Sequence, residues 1–268
     1  MAVVFKPTEG LTDKPFHYCP GCCHGIIHRI IAESLVEMDL LNSAVEVASV
    51  GCTYNSYEYF NCDAVQAAHG RAPAVATGIK RNLKDQTVFT YQGDGDLASI
   101  GTAEIIHAAA RGEKITVFFV NNAVYGMTSG QMAPTTLLGQ VTTTSPFGRD
   151  ASYQGYPINV SELIANLTGA VYVERVCLTD YKNIMNAKRA VQKAFNVQKN
   201  KLGFSLVEVL STCPTNWGKE PLAAMEWLKE NMEKQYPLGC YKGADITFDA
   251  EGNLIAGEVH AGEKEVRA

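Results

Sequence analysis

Runs of apolar, β-prone residues alternate along the chain with segments in which apolar positions recur at helical spacing. Residues 87–92 and 115–120 are two such runs, and a helical pattern from about 100 to 111 separates them. A strand, a helix and a second strand in this order form a βαβ unit, with parallel strands and a right-handed crossover. The same patterns predict strands at 44–50, 170–177 and 204–210 and helices at 160–167, 183–198 and 220–234. The alternation therefore predicts an α/β fold with a doubly wound, mainly parallel sheet.

The sequence is divided into three predicted sections. Residues 1–17 form a polar N-terminal arm, residues 18–218 the α/β domain, and residues 219–268 a C-terminal helix followed by an extended tail. Within the domain, residues 132–150 are rich in Thr, Gly and Pro and are predicted to form a long loop. Loops of this length inside a compact domain are usually functional or lie in an interface.

Composition and charge narrow the class of protein. The chain has 268 residues, of which 46% are hydrophobic, and this suffices for one large α/β core or two small ones. The net charge of −5 and the scattered basic residues argue against a nucleic-acid partner, and no apolar run is long enough for a membrane span. Since the first residues also lack a signal-peptide pattern, we expect a cytoplasmic protein. Its eight cysteines then indicate metal binding, catalysis or free thiols rather than disulfides.

Polar and glycine residues follow both strands of the βαβ unit. Gly93-Asp94-Gly95-Asp96 comes directly after the first strand, and Asn122 follows the second. Both segments lie at the carboxyl edge of the predicted sheet, where open α/β sheets bind ligands. A carboxylate and an amide oxygen suit Mg²⁺, which substrate phosphates can complete, and glycines allow backbone N–H groups to approach a diphosphate. We predict a metal-bridged diphosphate at this edge.

Three other interpretations of the glycine-rich turn are weaker. Gly93-x-Gly95-x-x-Ala98 matches a dinucleotide-binding fingerprint, but the second strand ends in asparagines where a ribose-binding acid is expected. An EF-hand loop beginning at Asp94 would place Ala98 and Ile105 at ligand positions. A plain surface turn would leave the asparagine at the matching end of the second strand unexplained.

Four cysteines occur where they can share the same edge. Cys19-x-x-Cys22 lies on a Pro-Gly turn before a predicted helix, while Cys52 and Cys213 each follow an apolar strand. If the strands are parallel members of one sheet, the four thiols can form a site beside the diphosphate, and such a set suits either zinc or a [4Fe–4S] cluster. A thioredoxin-like pair would need a preceding strand, which is not evident. The other cysteines are interpreted as ordinary buried or free thiols: Cys23, Cys62, Cys177 and Cys240.

These motifs resemble those of one enzyme family. Gly93-Asp94-Gly95 followed by Asn122 resembles the thiamine diphosphate motif, and the run from Tyr125 to Gln131, Tyr-Gly-Met-Thr-Ser-Gly-Gln, is similar to that of the β subunits of 2-oxoacid:ferredoxin oxidoreductases. The types that act on 2-oxoisovalerate and 2-oxoglutarate are the most similar. The resemblance implies the thiamine-diphosphate-binding fold. It also implies oxidative decarboxylation of a 2-oxoacid with CoA to an acyl-CoA, CO₂ and reduced ferredoxin.

The resemblance implies a Mg²⁺–thiamine diphosphate site. Asp94, Asn122 and the carbonyl of Val124 would bind Mg²⁺, and the backbone of residues 93–96 and 122–128 would bind the diphosphate. The implied cofactor-binding residues are His24, Cys52, Gly93, Asp94, Gly95, Asp96, Asn122, Val124, Tyr125, Gly126, Met127 and Thr128.

The resemblance also implies one [4Fe–4S] cluster, bound by Cys19, Cys22, Cys52 and Cys213. Two of the implied site residues are assigned to catalysis: His24 would touch the thiamine, and Cys52 would lie near its thiazolium ring. The family also contains the run beginning at His69, His-Gly-Arg, but the residues themselves predict only the start of a helix.

Partner chains are implied as well. Thiamine enzymes use a glutamate at the aminopyrimidine ring, which a separate pyrimidine-binding domain supplies, and this sequence shows only one diphosphate-binding core. The resemblance therefore implies a hetero-oligomer with an α subunit that carries that domain and its glutamate. It further implies ferredoxin-like subunits or ferredoxin as electron acceptors, and a 2-oxoacid and CoA as substrates.

Two other functions remain open from the residues alone. In a non-redox thiamine-dependent decarboxylase or synthase, the four cysteines would bind structural zinc or have no role. In a non-catalytic iron–sulfur electron-transfer subunit, Asp94 and Asn122 would be ordinary turn residues. Within the family reading, the substrate is predicted to be a branched-chain 2-oxoacid or 2-oxoglutarate. No basic residue occurs in residues 52–56, which favours a branched-chain substrate over a dicarboxylate.

Overall fold

Seven strands form the central sheet of the computed structural model, which describes residues 6–257. They are β1 (Ala44–Ala48), β2 (Asp63–Gln66), β3 (Thr87–Gly93), β4 (Thr116–Asn121), β5 (Ala170–Cys177), β6 (Phe204–Leu210) and β7 (Gly239–Lys242). The order across the sheet is β2-β1-β3-β4-β6-β5-β7, and only β7 pairs antiparallel within the described residues. Two short strands, β8 (Thr247–Phe248) and β9 (Leu254–Ala256), form a separate antiparallel pair. The predicted α/β fold with a mainly parallel sheet is confirmed.

Helices cover both faces of this sheet. They are α1 (His24–Glu37), α2 (Ala72–Asn82), α3 (Thr102–Ala110), α4 (Ala151–Gln154), α5 (Val160–Ala165), α6 (Tyr181–Lys199), α7 (Pro214–Trp217), α8 (Pro221–Trp227) and α9 (Glu233–Gln235). A π-helical turn, Asp96–Ile100, precedes α3, and a second, Leu228–Met232, joins α8 to α9. Short 3₁₀ turns are formed by Leu41–Ser43 and Ser56–Glu58.

The core is divided by the sheet into two apolar layers. On one face α1 and α6 pack against the strands, and the ring of Phe195 lies 5.3 Å from that of Phe118 and 6.0 Å from that of Phe89. On the other face α2, α3 and α5 cover a cluster that includes Val117 and Phe119. Every residue of β4 and β6 is buried, as expected for central parallel strands with both faces covered. Each fully buried aromatic side chain contributes on the order of 2 kcal/mol.

The strand order decides what meets at the carboxyl edge. Because β1, β3, β4 and β6 are neighbours and parallel, the segments that follow them leave the sheet on the same side. These segments contain Cys52, Asp94, Asn122 and Cys213. The fold thus gathers four residues that are far apart in the sequence.

Both ends of the sheet differ from the sequence-based expectation. β2 was not predicted, because it is a four-residue edge strand whose residues are all exposed and which therefore lacks an apolar pattern. The tail was predicted to be an extended arm, yet Gly239–Lys242 adds to the sheet as the edge strand β7. Parts of the predicted arm and tail, residues 1–5 and 258–268, lie outside the described residues. Among residues 6–257, no helix is both long and apolar enough to cross a membrane.

Candidate functional site

Three oxygen atoms converge where β3 and β4 end. The side-chain oxygen position of Asn122 lies 3.2 Å from Asp94 Oδ2 and 2.7 Å from the carbonyl oxygen of Val124. Turning the amide over would let its NH₂ group donate to both oxygens. With the amide oxygen in place, it lies between two further acceptors, and both of its spacings are near the edge of about 3 Å in an octahedron with metal–oxygen distances of about 2.1 Å. These residues can therefore hold a small divalent cation.

A buried network shapes the turn after β4. Ala123 has a φ of 58°, a left-handed conformation that is uncommon for residues other than glycine. Asn121 Oδ1 accepts from the Ala123 N–H at 3.1 Å, while Asn121 Nδ2 donates to Glu208 Oε1 at 2.8 Å. Thr136 Oγ1 donates to the Ala123 carbonyl at 2.6 Å. These bonds hold the strained turn that carries the converging oxygens.

Asp94 is buried, and both of its carboxylate oxygens accept hydrogen bonds. The Gly95 N–H donates to Oδ1 at 2.8 Å, and Thr135 Oγ1 donates to Oδ2 at 2.8 Å. Burial raises the pKa of Asp94 to about 7, because the charged form is poorly solvated. A bound cation would favour the carboxylate and oppose that effect.

The long loop that follows this turn is organised by Arg149. Its buried guanidinium donates to main-chain carbonyls on both sides of the loop, at distances from 2.6 to 3.4 Å. The acceptors belong to Ala133, Pro134, Thr136, Gln154, Gly155 and Tyr156. The loop is therefore fixed, and through Thr135 and Thr136 it contacts the converging oxygens. The sequence did not reveal this role, since threonines in a loop carry no periodic signal.

A cavity of about 220 Å³ opens beside the converging oxygens. The predicted cofactor-binding residues that line it are His24, Cys52, Gly93, Asp94, Gly95, Asp96, Asn122, Tyr125, Gly126, Met127 and Thr128. Val124, the remaining one, is buried behind the wall and offers its carbonyl. A Cβ atom at Gly95 would lie 2.9 Å from the Tyr125 ring, so a side chain there would crowd the wall of the cavity.

Asp96 holds the floor of this cavity together. Its side chain is fully buried, and Oδ2 accepts from Gln92 Nε2 at 2.7 Å. Oδ1 accepts from the N–H groups of Gly70 at 2.8 Å and Val50 at 3.3 Å, and from His69 Nδ1 at 2.5 Å. The carboxylate thus joins β3, the segment that follows β1 and the loop before α2. Because the Asp96 side chain is fully engaged, only the main chain of Asp96 remains for the predicted contact with a diphosphate.

His24 is a buried imidazole at the start of α1. Its Nδ1 lies 2.6 Å from the hydroxyl of Tyr91, and its ring stacks on Tyr18 with centroids 4.5 Å apart. Burial, followed by the nearby charge of His17, lowers the pKa of His24 to about 3, so the ring is neutral near pH 7. A neutral imidazole in the cavity wall can accept or donate a hydrogen bond.

A second cavity of about 210 Å³ adjoins the first, and Cys19, Cys22, Cys52 and Cys213 all line it. The two cavities share His24, Cys52, Asn122, Gly126 and Met127. All eight cysteines are free thiols. Burial raises the pKa of Cys52 to about 12 and also raises the pKa values of Cys22 and Cys213, so these thiols are protonated near neutral pH without a metal.

Two contacts define the surroundings of the four thiols. Asn216 Nδ2 donates to Cys213 Sγ at 3.2 Å and to the Gly126 carbonyl at 3.0 Å. A Cβ atom at Gly126 would lie 3.1 Å from Cys52 Sγ, so a side chain there would press on the thiol. Cys23 is buried outside this cavity, with its Sγ 3.4 Å from Thr212 Oγ1. Among residues 6–257, no group of three or more His, Cys, Asp or Glu side chains is arranged to hold a metal ion.

Comparison with known proteins gives concordant matches. Residues 42–209 match the family model of the C-terminal TPP-binding domain of thiamine pyrophosphate enzymes. Ketoisovalerate oxidoreductase subunit VorA of Methanothermobacter thermautotrophicus is 53% identical over 235 residues, which cover 88% of this chain and 49% of that protein. The chain thus spans about half the length of this relative.

Two further matches cover most of both chains. The 2-oxoglutarate synthase subunit KorB of Methanocaldococcus jannaschii is 34% identical over 254 residues, which cover 91% of this chain and 87% of that protein. A solved structure of 2-oxoglutarate:ferredoxin oxidoreductase from Magnetococcus marinus, with 2-oxoglutarate, coenzyme A and succinyl-CoA bound, superposes with a TM-score of 0.73. It is 25% identical, and the match covers 91% of this chain and 87% of that one.

Proposed function

Because this chain belongs to the thiamine-diphosphate-binding β subunits of the 2-oxoacid:ferredoxin oxidoreductase family, we propose that it catalyses, with partner chains, the oxidative decarboxylation of a 2-oxoacid. In this reaction a 2-oxoacid and CoA give an acyl-CoA, CO₂ and a proton, while two electrons pass singly to ferredoxin. When bound, thiamine diphosphate accepts the electron pair left by departing CO₂, and a [4Fe–4S] cluster transfers electrons one at a time.

The observation that carries the proposal is the convergence of three oxygens at the edge of a glycine-walled cavity. Asp94, Asn122 and the Val124 carbonyl supply one carboxylate and two neutral oxygens, a set that suits Mg²⁺ with phosphate oxygens as its further ligands. The residues fit the cofactor, since the glycine at position 95 lets the main chain pack against the Tyr125 ring in the wall of the cavity, where a Cβ atom would be crowded. The main chain of residues 93–96 and 122–128 would bind that diphosphate.

The chemistry of the four thiols in the second cavity suits either zinc or a [4Fe–4S] cluster. Cys19, Cys22, Cys52 and Cys213 line this one cavity. The similarity to a 2-oxoglutarate:ferredoxin oxidoreductase favours the cluster. We assign these cysteines to one [4Fe–4S] cluster, and binding would release their protons.

His24 and Cys52 belong to the wall that the two cavities share. Tyr91 holds the neutral ring of His24 by one nitrogen, which orients the ring toward a ligand in the cavity. We assign to His24 a contact with thiamine, and to Cys52 a position between the thiazolium ring and the cluster. In these roles His24 would orient the cofactor and Cys52 would keep the electron path short.

A branched-chain 2-oxoacid is the proposed substrate. Among the described residues, no Lys or Arg lines either cavity, so this chain offers no cationic partner for a second carboxylate. Met127 adds apolar surface to both cavities. The relative named ketoisovalerate oxidoreductase subunit, at 53% identity, supports the same assignment. Turnover of the complex on 2-oxoisovalerate should exceed that on 2-oxoglutarate, and the reverse preference would reject it.

The proposal requires partner chains. Among residues 6–257, no glutamate lines either cavity, and in this family a pyrimidine-binding domain supplies the glutamate that activates thiamine. We propose a cytoplasmic hetero-oligomer with an α subunit that supplies the pyrimidine-binding domain and this glutamate. Ferredoxin-like subunits or ferredoxin would accept the electrons.

The deciding experiment is cofactor analysis of the complex purified without oxygen. Iron, acid-labile sulfide, zinc and thiamine diphosphate are measured per copy of this chain. One thiamine diphosphate together with the iron and sulfide of a [4Fe–4S] cluster would support the proposal. Because other subunits also contain iron, the C52A/C213A variant is compared with the wild-type complex. It should contain less iron and sulfide, by the amount of one [4Fe–4S] cluster per copy of this chain. Thiamine diphosphate without iron and sulfide that depend on these cysteines would indicate a non-redox enzyme. A cluster without thiamine diphosphate would indicate an electron-transfer subunit.

A further inference from the structure

We propose that Glu208 is a positioning residue for the Mg²⁺ site, which it supports from within the core through Asn121. The inference rests on the proposed Mg²⁺–thiamine diphosphate site and adds a residue that the motifs did not assign. Glu208 lies in β6, its side chain is 1% exposed, and its Oε1 accepts a hydrogen bond of 2.8 Å from Asn121 Nδ2. It therefore acts on a neighbour of the proposed ligands.

A row of polar side chains crosses three neighbouring strands and ends at this site. Arg175 of β5 is the register partner of Glu208, and Glu208 is the register partner of Phe119 in β4. Because side chains alternate along a strand, Asn121 lies on the same face as Phe119 and meets Glu208 diagonally. The row thus runs through the apolar layer that contains Phe119 to the turn after β4.

Glu208 determines how the Asn121 amide is turned. Its other carboxylate oxygen, Oε2, is held by Arg175 Nε at 2.8 Å and by Ser161 Oγ at 2.6 Å. A carboxylate that is paired with a guanidinium accepts hydrogen bonds, so it binds the NH₂ end of the amide. The oxygen end, Asn121 Oδ1, is thereby directed toward the Ala123 N–H, which donates to it at 3.1 Å.

This bond holds the turn that carries two of the three converging oxygens. Ala123 has a φ of 58°, a strained conformation that persists only where its surroundings enforce it. Asn122 and Val124 flank it, and they supply the amide oxygen and the carbonyl. Without Glu208 the amide can rotate and the turn can relax, which moves both oxygens. Removing a group that orients a metal ligand typically weakens metal binding 10- to 100-fold, and we expect about 10-fold here because Glu208 acts one step farther away.

A purely structural role for Glu208 is the competing explanation, since any change to this buried carboxylate also disturbs Arg175. A structural residue affects the stability of the fold but leaves the cation affinity of the folded molecules unchanged. A positioning residue changes that affinity, and does so only while Asn121 is present. Glu113 offers a matched control, because it is also a buried carboxylate bonded by arginines. It precedes β4 and so lies at the end of the sheet opposite the site.

The test uses the complete complex, freed of metal and supplied with saturating thiamine diphosphate. Mn²⁺, which prefers the same oxygen ligands as Mg²⁺, is titrated, and the free ion is quantified by electron paramagnetic resonance. Glu208→Gln keeps the shape of the side chain but brings an NH₂ group among donors, and should raise the Mn²⁺ dissociation constant about 10-fold. Asn121→Leu should raise it at least as much. Adding Glu208→Gln to Asn121→Leu should change it by less than about 2-fold, because the route is already broken. Glu113→Gln should stay within about 2-fold of wild type.

Each outcome decides a different question. If the wild-type complex binds no Mn²⁺ that depends on thiamine diphosphate, the proposed cofactor site itself is wrong. If it does, and Glu208→Gln binds Mn²⁺ equally tightly with a lowered melting temperature, Glu208 is only structural. Multiplying effects of Glu208→Gln and Asn121→Leu would reject the route through Asn121. If Glu208→Gln does not fold, Asn121→Leu decides the matter, since wild-type Mn²⁺ affinity in that folded variant would also reject the proposal.

Discussion

The hydroxyl of Thr135 donates a hydrogen bond of 2.8 Å to Asp94 Oδ2, although 41 residues separate the two in sequence. Thr135 is completely buried, so no water replaces this bond at its side chain. Oδ2 is also the oxygen that lies 3.2 Å from the amide of Asn122. The loop between β4 and α4 therefore sets the orientation of the carboxylate proposed to bind Mg²⁺.

Replacing Thr135 with Val should weaken Mg²⁺ binding. The variant keeps the shape of the side chain but removes the donor, so the Asp94 carboxylate can rotate away from the cation. Losing a partner that orients a metal ligand typically costs 10- to 100-fold in affinity. The Mg²⁺ concentration that half-saturates thiamine diphosphate binding should rise by about that factor. Thr135→Ser keeps the hydroxyl and should behave as wild type. An unchanged Mg²⁺ requirement in Thr135→Val would contradict the argument.

Asn216 should tune the reduction potential of the proposed cluster. Its Nδ2 donates to Cys213 Sγ at 3.2 Å, and donors to sulfur stabilise the more negative, reduced state. Asn216→Leu should lower the potential by roughly 40 mV, the one-electron equivalent of about 1 kcal/mol. A titration followed by electron paramagnetic resonance measures this shift. Asn231→Leu is the control, since that amide binds the Trp227 carbonyl. Equal potentials in both variants would mean that the contact is inconsequential.

Arg175 should be essential to stability. It is fully buried, with Nε 2.8 Å from Glu208 Oε2 and Nη2 2.6 Å from Glu162 Oε2. Arg175→Met leaves Glu208 buried without its cation, which typically costs 3–5 kcal/mol, so the free energy of unfolding should fall by about that amount. Urea denaturation measures this free energy.

Two further variants control the Arg175 experiment. Adding Glu208→Gln to Arg175→Met should recover part of the loss, because the orphaned charge is removed. Arg111→Met breaks a pair with Glu113 in which the arginine side chain is 45% exposed, so it should cost less than about 1 kcal/mol. If Arg175→Met is no more destabilising than Arg111→Met, the buried ion pair does not stabilise the fold as argued.

Glu46 should make the fold less stable as the pH rises. The side chain is buried in β1, where the hydroxyl of Ser56 is its nearby polar neighbour. Burial raises the pKa of Glu46 from 4.5 to about 8. The folded chain therefore retains a proton that the unfolded chain loses. The stabilisation that this bound proton provides is complete below pH 4.5 and is lost as the pH rises toward about 8.

Glu46→Gln removes that dependence. The variant should be more stable than wild type at pH 8 by on the order of 3 kcal/mol, and the difference should shrink toward pH 4.5. Urea denaturation of both proteins at several pH values gives the difference directly, and other titrating groups cancel. A difference that is constant with pH would show that Glu46 is ionised in the folded chain.

Lys201 occupies a position that glycine would suit better. It follows α6 with a φ of 57°, and Leu202 N–H donates to the Val197 carbonyl at 3.0 Å, as in a Schellman motif. Lys201→Gly should stabilise the fold by about 0.5–1 kcal/mol, measured by thermal unfolding. The variant also loses the ion pair between Lys201 and Asp85, but both side chains are exposed, so this pair contributes little to the free energy of unfolding. Lys201→Ala keeps the strain, so a gain of the same size in both variants would contradict the explanation.

Much of the fold was predictable because buried strands and amphipathic helices leave periodic patterns. The helix predicted at 183–198 is observed as Tyr181–Lys199, and the strand at 170–177 as Ala170–Cys177. Family membership, predicted from the motifs after β3 and β4, is confirmed by the family match and by the identity to known subunits. The edge strands β2 and β7 were missed, because short and partly exposed segments lack such a pattern.

The sequence by itself determined which residues follow β1, β3, β4 and β6, since each of these strands is followed by a change from apolar residues to a segment that contains Gly, Asp, Asn or Cys. Only the tertiary structure decided that β1, β3, β4 and β6 are neighbours, and hence that Cys52, Asp94, Asn122 and Cys213 face adjoining cavities. It alone also revealed Thr135 as a partner of Asp94. The physical reason is that hydrogen bonds are short and directional, whereas the path of a long loop between them leaves no local pattern.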